Sequence, residues 1–565
     1  MDDKKSQSDD RSPLPAPAVS RRGFLQGLGG TAAGLGLLGA APGLVDSAEA
    51  EVIGPLTDTE RAAQALAIRR RAAFFQSQQP LPALATNGDE ELYGNHIASY
   101  TKALPHNDLG EVDPAAYQAL RAALASGDPP DFNTIPTGGN GKLANPQAAY
   151  ALSLIGADSH HVDIAAPPAF ASAWQASEAG EVYWQAVTRD VSFDRFDSDP
   201  LTLQAADEMS KFSDFRGPKD GGSVTPGTLF RGSTPGDLTG PYISQFLYQP
   251  VPYGNKSFLQ KALSPVAGDD YMTTYSAWLA VQRGQLPPSA VNLRSRPRYI
   301  INGRDLGEYV HRDFPYQAYL NAALIALGYG AAAMSLRSPY ANSPSQGGFV
   351  TFGPAGILDL VARAAVAALR AAWFHKWLVH RRVRPEAFGG RVHNHMTGAA
   401  SYPINSELLN SDVLDVVFGR QGTYLLPQAF PEGSPTHPSY PAGHATIAGA
   451  CVTMLKAWFN EDFVFPIARV PSANGLALRA YTAQPLTLGG EANKLAANIA
   501  LGRNTAGVHW RTDGVDGILV GEAIAISMLQ DYLRTVNEGF NGFVFTRFDG
   551  VQVQVTDTRV ILVHD

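Results

Sequence analysis

A loop with three prolines and two histidines runs directly into an apolar helical pattern, and this junction constrains the fold more than any other stretch. The loop is Pro435–His444, and the apolar pattern continues to Phe459. Because proline disfavours helix at and before its own position, the helix is expected to begin after Pro441, at Ala442 and Gly443. The free N–H groups of a helix start bind anions, and glycine allows a close approach to the backbone. The alternative is an ordinary loop that caps a core helix.

Several further apolar patterns at helical spacing predict a mainly α-helical protein. Their many small residues favour close packing of helices against each other. A capping box of Thr57 with Glu60 marks the start of the first helix. Residues 542–555 alternate around an Asp549-Gly550 turn, which predicts a small C-terminal β-hairpin. The predicted helices cover residues 57–77, 114–125, 315–336, 357–380, 490–504 and 515–536.

Residues 1–50 have the pattern of an export signal. The twin-arginine stretch Ser20–Leu25 is followed by an apolar, glycine-rich run and by a small-residue cleavage site at residues 48–50. The alternatives are a membrane anchor or a disordered tail. The signal predicts a periplasmic or secreted protein, with a helical domain over residues 51–565 and no stable membrane insertion after cleavage.

The charge balance and the single cysteine argue against several classes of function. The chain has 44 basic and 52 acidic residues, and no basic cluster lies beyond the extreme N-terminus, so a nucleic-acid partner is not expected. A single cysteine can form neither a disulfide framework nor an iron–sulfur or thiolate zinc site. Cys451 lies within an apolar helical run and is expected to be a buried core thiol.

Two further segments each bring cations towards a helix end. Lys376 ends an otherwise apolar helix, and the proline that follows Arg384 turns that arginine back towards the lysine. Arg503 ends a second helix, and His509 precedes the next one. Such convergence fits a tetrahedral oxyanion, phosphate and vanadate equally, with the histidine as phosphoryl nucleophile or as metal ligand. The Arg381-Arg382 pair is expected to belong to a basic surface.

These blocks resemble the signature shared by vanadium-dependent haloperoxidases and type-2 phosphatidic acid phosphatases. The matching residues are Lys376 with Arg384-Pro385, then Pro438–His444, then Arg503 with His509, in that order. The flanks, which include Pro435–Pro441, Asn87–Glu90 and Leu104–His106, are similar to the bromoperoxidase branch. The resemblance covers most of residues 51–565 and implies one large domain built on two four-helix bundles.

The resemblance implies a set of vanadate ligands. His509 would be the axial ligand, and Gly443 would donate its backbone N–H. The cations Lys376, Arg384 and Arg503 would neutralise the equatorial oxygens, and the lysine would also polarise bound peroxide.

Other residues are assigned supporting roles by the same resemblance. His444 would bond the axial hydroxide and act as acid–base catalyst, a role that a histidine titrating near neutral pH can fill. His437 would assist peroxide deprotonation or halide placement, and Trp373 matches an aromatic residue near the halide. Asp305 resembles a carboxylate that fixes the arginine at position 503.

The implied reaction is the oxidation of bromide or iodide by hydrogen peroxide to hypohalous acid, which then halogenates small organic acceptors. Vanadium would keep its oxidation state and act as a Lewis acid. The resemblance also implies a homo-oligomer, and a structural calcium ion is a further expectation.

One position departs from the family pattern. Most members have serine where this chain has Ala442, and that hydroxyl donates a hydrogen bond to an equatorial oxygen. Loss of one such bond to a charged group costs about 1.5–3 kcal/mol. We therefore expect a functional enzyme with weaker oxyanion binding or a shifted halide preference.

Two alternative functions use the same residues. In a secreted acid phosphatase, His509 would attack phosphorus and His444 would protonate the leaving group. In a non-catalytic oxyanion-binding protein, the missing hydroxyl at Ala442 would mark the loss of catalysis. Retention of all three cations argues against this second alternative, because buried charges without a ligand are costly.

Overall fold

The computed structural model describes residues 52–563, and the chain divides into two compact units, residues 1–67 and 68–565. In the first unit, strands β1 (Val52–Ile53) and β2 (Leu56–Thr57) form an antiparallel hairpin, after which helix α1 (Asp58–Ser77) begins. The capping box is confirmed, because the Thr57 backbone N–H donates to Glu60 Oε2 at 2.8 Å and the Glu60 N–H donates to Thr57 Oγ1 at 3.3 Å. The predicted export signal lies outside the described residues.

The second unit is mainly helical, as predicted. Its helices of eight residues or more are α2 (Pro114–Ser126), α3 (Ala173–Thr188), α4 (Pro200–Lys211), α5 (Tyr275–Gln282), α6 (Gly303–Arg312), α7 (Gln317–Gly328), α8 (Pro354–Phe374), α9 (Pro385–Met396), α10 (Asp412–Gln421), α11 (Gly443–Trp458), α12 (Leu488–Thr505) and α13 (Arg511–Leu533). Shorter helical turns lie at Asp89–Leu92, Asp131–Thr134, Pro146–Tyr150, Ser159–His161, Phe193–Arg195, Gln245–Leu247, Gly330–Ala333 and Ser406–Leu409. Among residues 52–563, no helix is long and apolar enough to cross a membrane.

The strands of the second unit are short and antiparallel. Strand β3 (Val251–Tyr253) pairs with β4 (Lys256–Phe258), and β5 (Ala468–Pro471) pairs with β6 (Leu478–Tyr481). The predicted C-terminal hairpin is confirmed as β7 (Phe543–Thr546) and β8 (Gln552–Val555), with Phe543 opposite Val555. A third strand, β9 (Val560–Leu562), extends it into a small sheet.

The helices enclose two large buried cores. One core takes side chains from α3, α4, α9 and α10, and the other from α6, α7, α8, α11, α12 and α13. Two groups of helices around separate cores agree with the prediction of two bundles, although the second core draws on six helices rather than four. Cys451 is buried in that second core, as expected, and burial raises the pKa of its thiol.

Several helix ends differ from the sequence prediction; the helix predicted over residues 515–536, for example, spans Arg511–Leu533. The helix predicted over residues 315–336 ends at Gly328, because Gly330 adopts a left-handed φ of 64° that an α-helix does not accommodate. The helix predicted over residues 357–380 is α-helical only to Phe374 and continues as a π-helical turn, His375–His380. Such turns widen a helix locally and often lie at functional sites.

Helices α11 and α13 pack backbone against backbone. A Cβ added to Gly449 would lie 2.0 Å from the carbonyl oxygen of Ile518, and one added to Gly521 would lie 2.1 Å from that of Thr446. Only glycine fits at these two positions, because no real Cβ approaches a carbonyl so closely. The crossing therefore brings the start of α11 next to the segment that precedes α13.

Candidate active site

Five of the predicted site residues come from five separate segments of the chain. Lys376 lies in the π-helical turn, Arg384 immediately precedes α9, and Arg503 lies in the last turn of α12. His437 lies in the proline-rich loop before α11, and His509 lies in the loop before α13. All five side chains are buried.

Lys376 fixes the π-helical turn to the proline-rich loop. Its Nζ donates to the carbonyl oxygens of Pro438 at 2.7 Å and Ser439 at 2.6 Å. An ammonium has three donors, so one N–H remains for a further acceptor. Burial and, next, the Arg384 guanidinium lower the pKa of Lys376 well below its ordinary value.

Arg384 bonds to both of the buried histidines. It donates from Nη1 to His509 Nε2 and from Nη2 to His437 Nδ1, at 2.9 Å in each case. It also donates from Nε to the His437 carbonyl oxygen at 2.9 Å and from Nη1 to the Val508 carbonyl oxygen at 2.7 Å. Burial lowers the pKa of Arg384 to about 10. Since an arginine only donates, the two contacted ring nitrogens must be acceptors.

Arg503 is the least satisfied of the three cations. Its Nη1 donates to the Val310 carbonyl oxygen at 2.8 Å, while its Nε has no hydrogen-bond partner among the described residues. The guanidinium carbon lies 5.7 Å from the centre of the Phe430 ring. Burial and the positive charge of Arg384 lower the pKa of Arg503 to about 10.

The tautomer of His509 follows from its two contacts. Its Nδ1 lies 2.7 Å from Asp513 Oδ2, and a carboxylate oxygen accepts, so Nδ1 is the donor. Its Nε2 accepts from Arg384. The proton is therefore on Nδ1 and the lone pair on Nε2. Burial and, next, Arg384 lower the pKa of His509 well below its ordinary value, so the ring is neutral. A neutral imidazole can bind a metal through such a lone pair, and at Nε2 a metal would replace the hydrogen bond from Arg384.

Asp513 is a buried partner of His509 that the sequence analysis missed. It is fully buried one helical turn after His509, and the spacing of four residues across a helix start was the available signal. Arg382 donates to Asp513 Oδ1 at 2.9 Å, so the prediction of a basic surface at positions 381 and 382 is wrong. Arg381 instead forms an ion pair with Glu90 and is mostly buried.

The start of α11 carries the predicted histidine, His444, beside a carboxylate that the sequence analysis did not assign to the site. His444 Nε2 lies 3.0 Å from Oδ1 of Asp313, which directly follows α6, and the His444 side chain is 30% exposed. Asp313 also raises the pKa of Arg503, partly offsetting the effect of its burial. Asp305 is instead paired with Arg298 at 2.7 Å and accepts from the Ile301 N–H, so its predicted contact with the arginine at 503 is wrong.

His437 and Trp373 lie together, as the resemblance implies. Their ring centres are 4.7 Å apart, and Trp373 Nε1 donates to the Ala144 carbonyl oxygen at 3.1 Å. Trp373 also borders Gly443, because its Cζ3 lies 3.4 Å from the point that a Cβ on this glycine would occupy. Burial and, next, Arg384 lower the pKa of His437 well below its ordinary value. Nδ1 also lies 3.1 Å from the Pro438 carbonyl oxygen, but the contact with Arg384 decides the tautomer because an arginine can only donate. The neutral ring therefore carries its proton on Nε2.

The donor set fits a multiply charged oxyanion. Among the ion pairs of residues 52–563, none involves Lys376, Arg384 or Arg503, although all three are buried. Cations in a low-dielectric interior require a counter-charge, and the start of α11 adds backbone N–H groups that no side chain caps. A tetrahedral oxyanion beside His509 Nε2 supplies that charge, so the residues present fit vanadate.

Comparison with known proteins agrees with this geometry. A family model described as the VCPO second helical-bundle domain matches residues 357–538. A vanadium-dependent bromoperoxidase of Ascophyllum nodosum is 36% identical over 493 residues, which cover 83% of this chain and 87% of the relative. The vanadium-dependent bromoperoxidase of Corallina officinalis is 32% identical, covering 84% and 95%.

The chain belongs to the vanadium-dependent haloperoxidases.

A solved structure of this family shares the whole architecture. It is the homohexameric second vanadate-dependent bromoperoxidase from Ascophyllum nodosum, with a TM-score of 0.87 and 31% identity, covering 94% of this chain and 97% of that one. The haloperoxidase family model spans every predicted vanadate ligand, from Lys376 to His509. Asp313 lies before the matched segment and reaches the site only through the fold.

Proposed function

We propose that this protein is a vanadate-dependent haloperoxidase that uses hydrogen peroxide to oxidise bromide or iodide. The observation that carries the proposal is that three buried cations near His509, Lys376, Arg384 and Arg503, form no ion pair with a carboxylate among residues 52–563. The relatives named as vanadium-dependent bromoperoxidases, which match more than four-fifths of the chain, support it.

The chain's residues would hold the oxyanion by complementary charge. Lys376 keeps one N–H for an oxygen after bonding two carbonyl groups, and Arg503 keeps its Nε. Gly443 offers its backbone N–H at the positive end of α11. When bound at His509, vanadate supplies a Lewis-acid centre at which peroxide is activated without a change in metal oxidation state.

Proton transfer would pass through His444. Asp313 engages its Nε2, so Nδ1 is the nitrogen left to exchange protons with the site. The side chain is 30% exposed, which connects the ring to solvent, whereas the other site histidines are buried. His444 is therefore the histidine placed to bring in the proton that the formation of hypohalous acid consumes.

His437 and Trp373 would form the halide environment. The neutral His437 carries its proton on Nε2, so it can donate a hydrogen bond without the strong attraction of a full charge. The adjacent Trp373 adds a polarisable aromatic surface. This combination suits large, weakly hydrated halides, and we therefore propose bromide and iodide rather than chloride.

The test is bromination of a reporter dye by phosphate-free apoprotein titrated with orthovanadate, with peroxide and bromide present. Activity that rises and saturates with vanadate is the expected result. Absence of a vanadate response, together with phosphomonoester hydrolysis that vanadate inhibits, would refute the proposal and favour a phosphatase.

Three further properties are part of the proposal. A homo-oligomer is supported by the homohexameric relative and is tested by light scattering on the purified protein. Twin-arginine export to the periplasm or medium is supported by the Ser20–Leu25 pattern and is tested by fractionating cells that express the full chain. A structural calcium ion follows only from the family resemblance, and residues 52–563 contain no cluster of three or more His, Cys, Asp or Glu that could hold a metal. Loss of thermal stability on chelation would reveal one.

A further inference from the structure

Segment 382–384 carries one arginine that contacts His509 and one that contacts the carboxylate bonded to His509. Arg384 has extended backbone angles, φ −83° and ψ 152°, and its Nη1 contacts His509 Nε2 directly. In extended backbone, residues two apart point the same way, so Arg382 also faces this region. Its Nη1 contacts Asp513, whose other oxygen contacts His509 Nδ1. Two arginines thus act on one histidine, one directly and one through a carboxylate.

Asp513 divides its two oxygens between different tasks. Oδ1 accepts from Arg382 at 2.9 Å. Oδ2 accepts from His509 Nδ1 at 2.7 Å, from the Trp510 N–H at 3.0 Å and from the Ser439 hydroxyl. The Asp513 carboxylate is fully buried, and Arg382 is its one cationic partner among the described residues. Without that guanidinium, Oδ1 would lose its donor, and the buried carboxylate would keep only the neutral donors on Oδ2 among the described residues.

Arg382 is itself held from the opposite side by α3. Its Nη2 donates to Glu178 Oε2 at 2.9 Å and to Gln175 Oε1 at 2.7 Å. The other oxygen of Glu178 accepts the Thr512 N–H at 2.7 Å, which ties α3 to the first turn of α13. Glu178, Arg382 and Asp513 form a continuous buried chain that ends at the candidate metal ligand.

We propose that Arg382, held by Glu178, is a positioning residue for His509. It orients Asp513 so that His509 keeps its proton on Nδ1 and presents the Nε2 lone pair to vanadate. Arg382 does not touch the oxyanion site itself, and its effect passes through the carboxylate. The inference depends on the proposed function, since it concerns the strength of the bond between His509 and vanadium.

The test compares two anions on phosphate-free apoprotein by titration calorimetry. Vanadate can take His509 as a fifth ligand, whereas phosphate remains four-coordinate and depends on the cations alone. Loss of a hydrogen-bond partner behind a metal ligand typically weakens metal binding about 10- to 100-fold. Arg382 lies one hydrogen bond further from the metal than such a partner, so for Arg382→Met we expect vanadate Kd to rise by about 10-fold, the lower end of that range, while phosphate Kd changes far less. Arg382→Lys should restore part of the loss.

Two additional variants keep the test decisive. Arg381→Met is the matched control, because it removes the neighbouring buried arginine whose ion pair is with Glu90, and its ratio of vanadate to phosphate affinity should equal that of wild type. Glu178→Gln keeps the shape of the side chain and removes its charge, and we expect a smaller rise in vanadate Kd than for Arg382→Met. It decides the question if Arg382→Met does not fold.

The outcomes distinguish a failure of the positioning role of Arg382 from a failure of the proposed function. Equal weakening of both anions in Arg382→Met and Glu178→Gln, or no change in either, would overturn the positioning role. Wild-type protein that binds phosphate but not vanadate would instead contradict the proposed function, before any variant is made.

Discussion

Restoring the hydroxyl at Ala442 should strengthen oxyanion binding. Ala442 is fully buried at the N-cap of α11, where no side chain accepts from the free N–H groups of the first turn. Its backbone is fixed on both sides, because its N–H donates to the Asp513 carbonyl oxygen at 2.8 Å and its own carbonyl accepts from the Thr446 N–H at 2.9 Å. Ala442→Ser therefore adds one oxygen to a rigid position beside Gly443.

The new hydroxyl can form one of two hydrogen bonds, and the expected change in vanadate affinity differs between them. If it donates to the oxyanion, a hydrogen bond to a charged group is worth about 1.5–3 kcal/mol, or about 10- to 150-fold in vanadate Kd. If it turns to accept a helix N–H as an N-cap, it stabilises the apoprotein by about 0.5–2 kcal/mol and leaves the affinity nearly unchanged. We expect the first, because three cations draw the anion to this helix start.

The two hydrogen bonds are distinguished by measuring vanadate Kd and the thermal unfolding of the apoprotein on the same samples. Ala448→Ser is the matched control, since Ala448 is equally buried in α11 and its new hydroxyl can bond the carbonyl oxygen four residues earlier. It should leave vanadate Kd unchanged. An Ala442→Ser protein with wild-type affinity and turnover would refute the reasoning, whether or not its stability rises.

Three further predictions address the metal ligand, the helix crossing and a buried carboxyl group. His509→Ala should lower vanadate affinity to that of phosphate, because only the cations remain to bind either anion; calorimetry that still shows a vanadate preference would contradict the ligand assignment. Gly449→Ala should destabilise the protein by about 1–3 kcal/mol or more, because its Cβ would lie 2.0 Å from a carbonyl oxygen; an unchanged denaturant midpoint would show that the crossing is not tight. Burial raises the pKa of Glu461 from 4.5 to about 7, so between these pH values the folded state binds a proton that the unfolded state does not. The contribution of Glu461 to the free energy of unfolding therefore falls by about 2–3 kcal/mol as pH rises from 4.5 to 7. Glu461→Gln should remove that part of the pH dependence, and identical pH profiles of unfolding for the variant and wild type would disprove the assignment.

The cation and histidine positions could be predicted from sequence because each is tied to a local signal. Proline follows Arg384 and precedes the start of α11, and both force a helix boundary at the site. In the structure Arg384 contacts His509 Nε2 at 2.9 Å, and the positive charges of Lys376 and Arg503 contribute to the lowered pKa of His509. The positions of these charged residues could be predicted because they lie at helix boundaries.

The carboxylates could not be assigned in the same way. Asp305 and Asp313 lie eight residues apart on opposite ends of α6, and only the packing of α6 against α12 decides which end faces the site. The ion pairs of Arg382 could not be predicted either, because its partners Glu178 and Asp513 are distant in sequence and no local pattern marks a chain of buried ion pairs. Long-range electrostatic pairing is a property of the fold rather than of the segment.

The direct backbone contact between α11 and α13 has a consequence for how this pocket can be altered. Where Gly449 meets Ile518 and Gly521 meets Thr446, no side chain lies between the two helices that could be trimmed or enlarged to adjust their spacing. The distance between the start of α11 and His509 is therefore a fixed dimension. Engineering of halide or acceptor choice should vary the loop before α11 and the neighbourhood of Trp373, since libraries at the crossing would mostly yield unfolded protein.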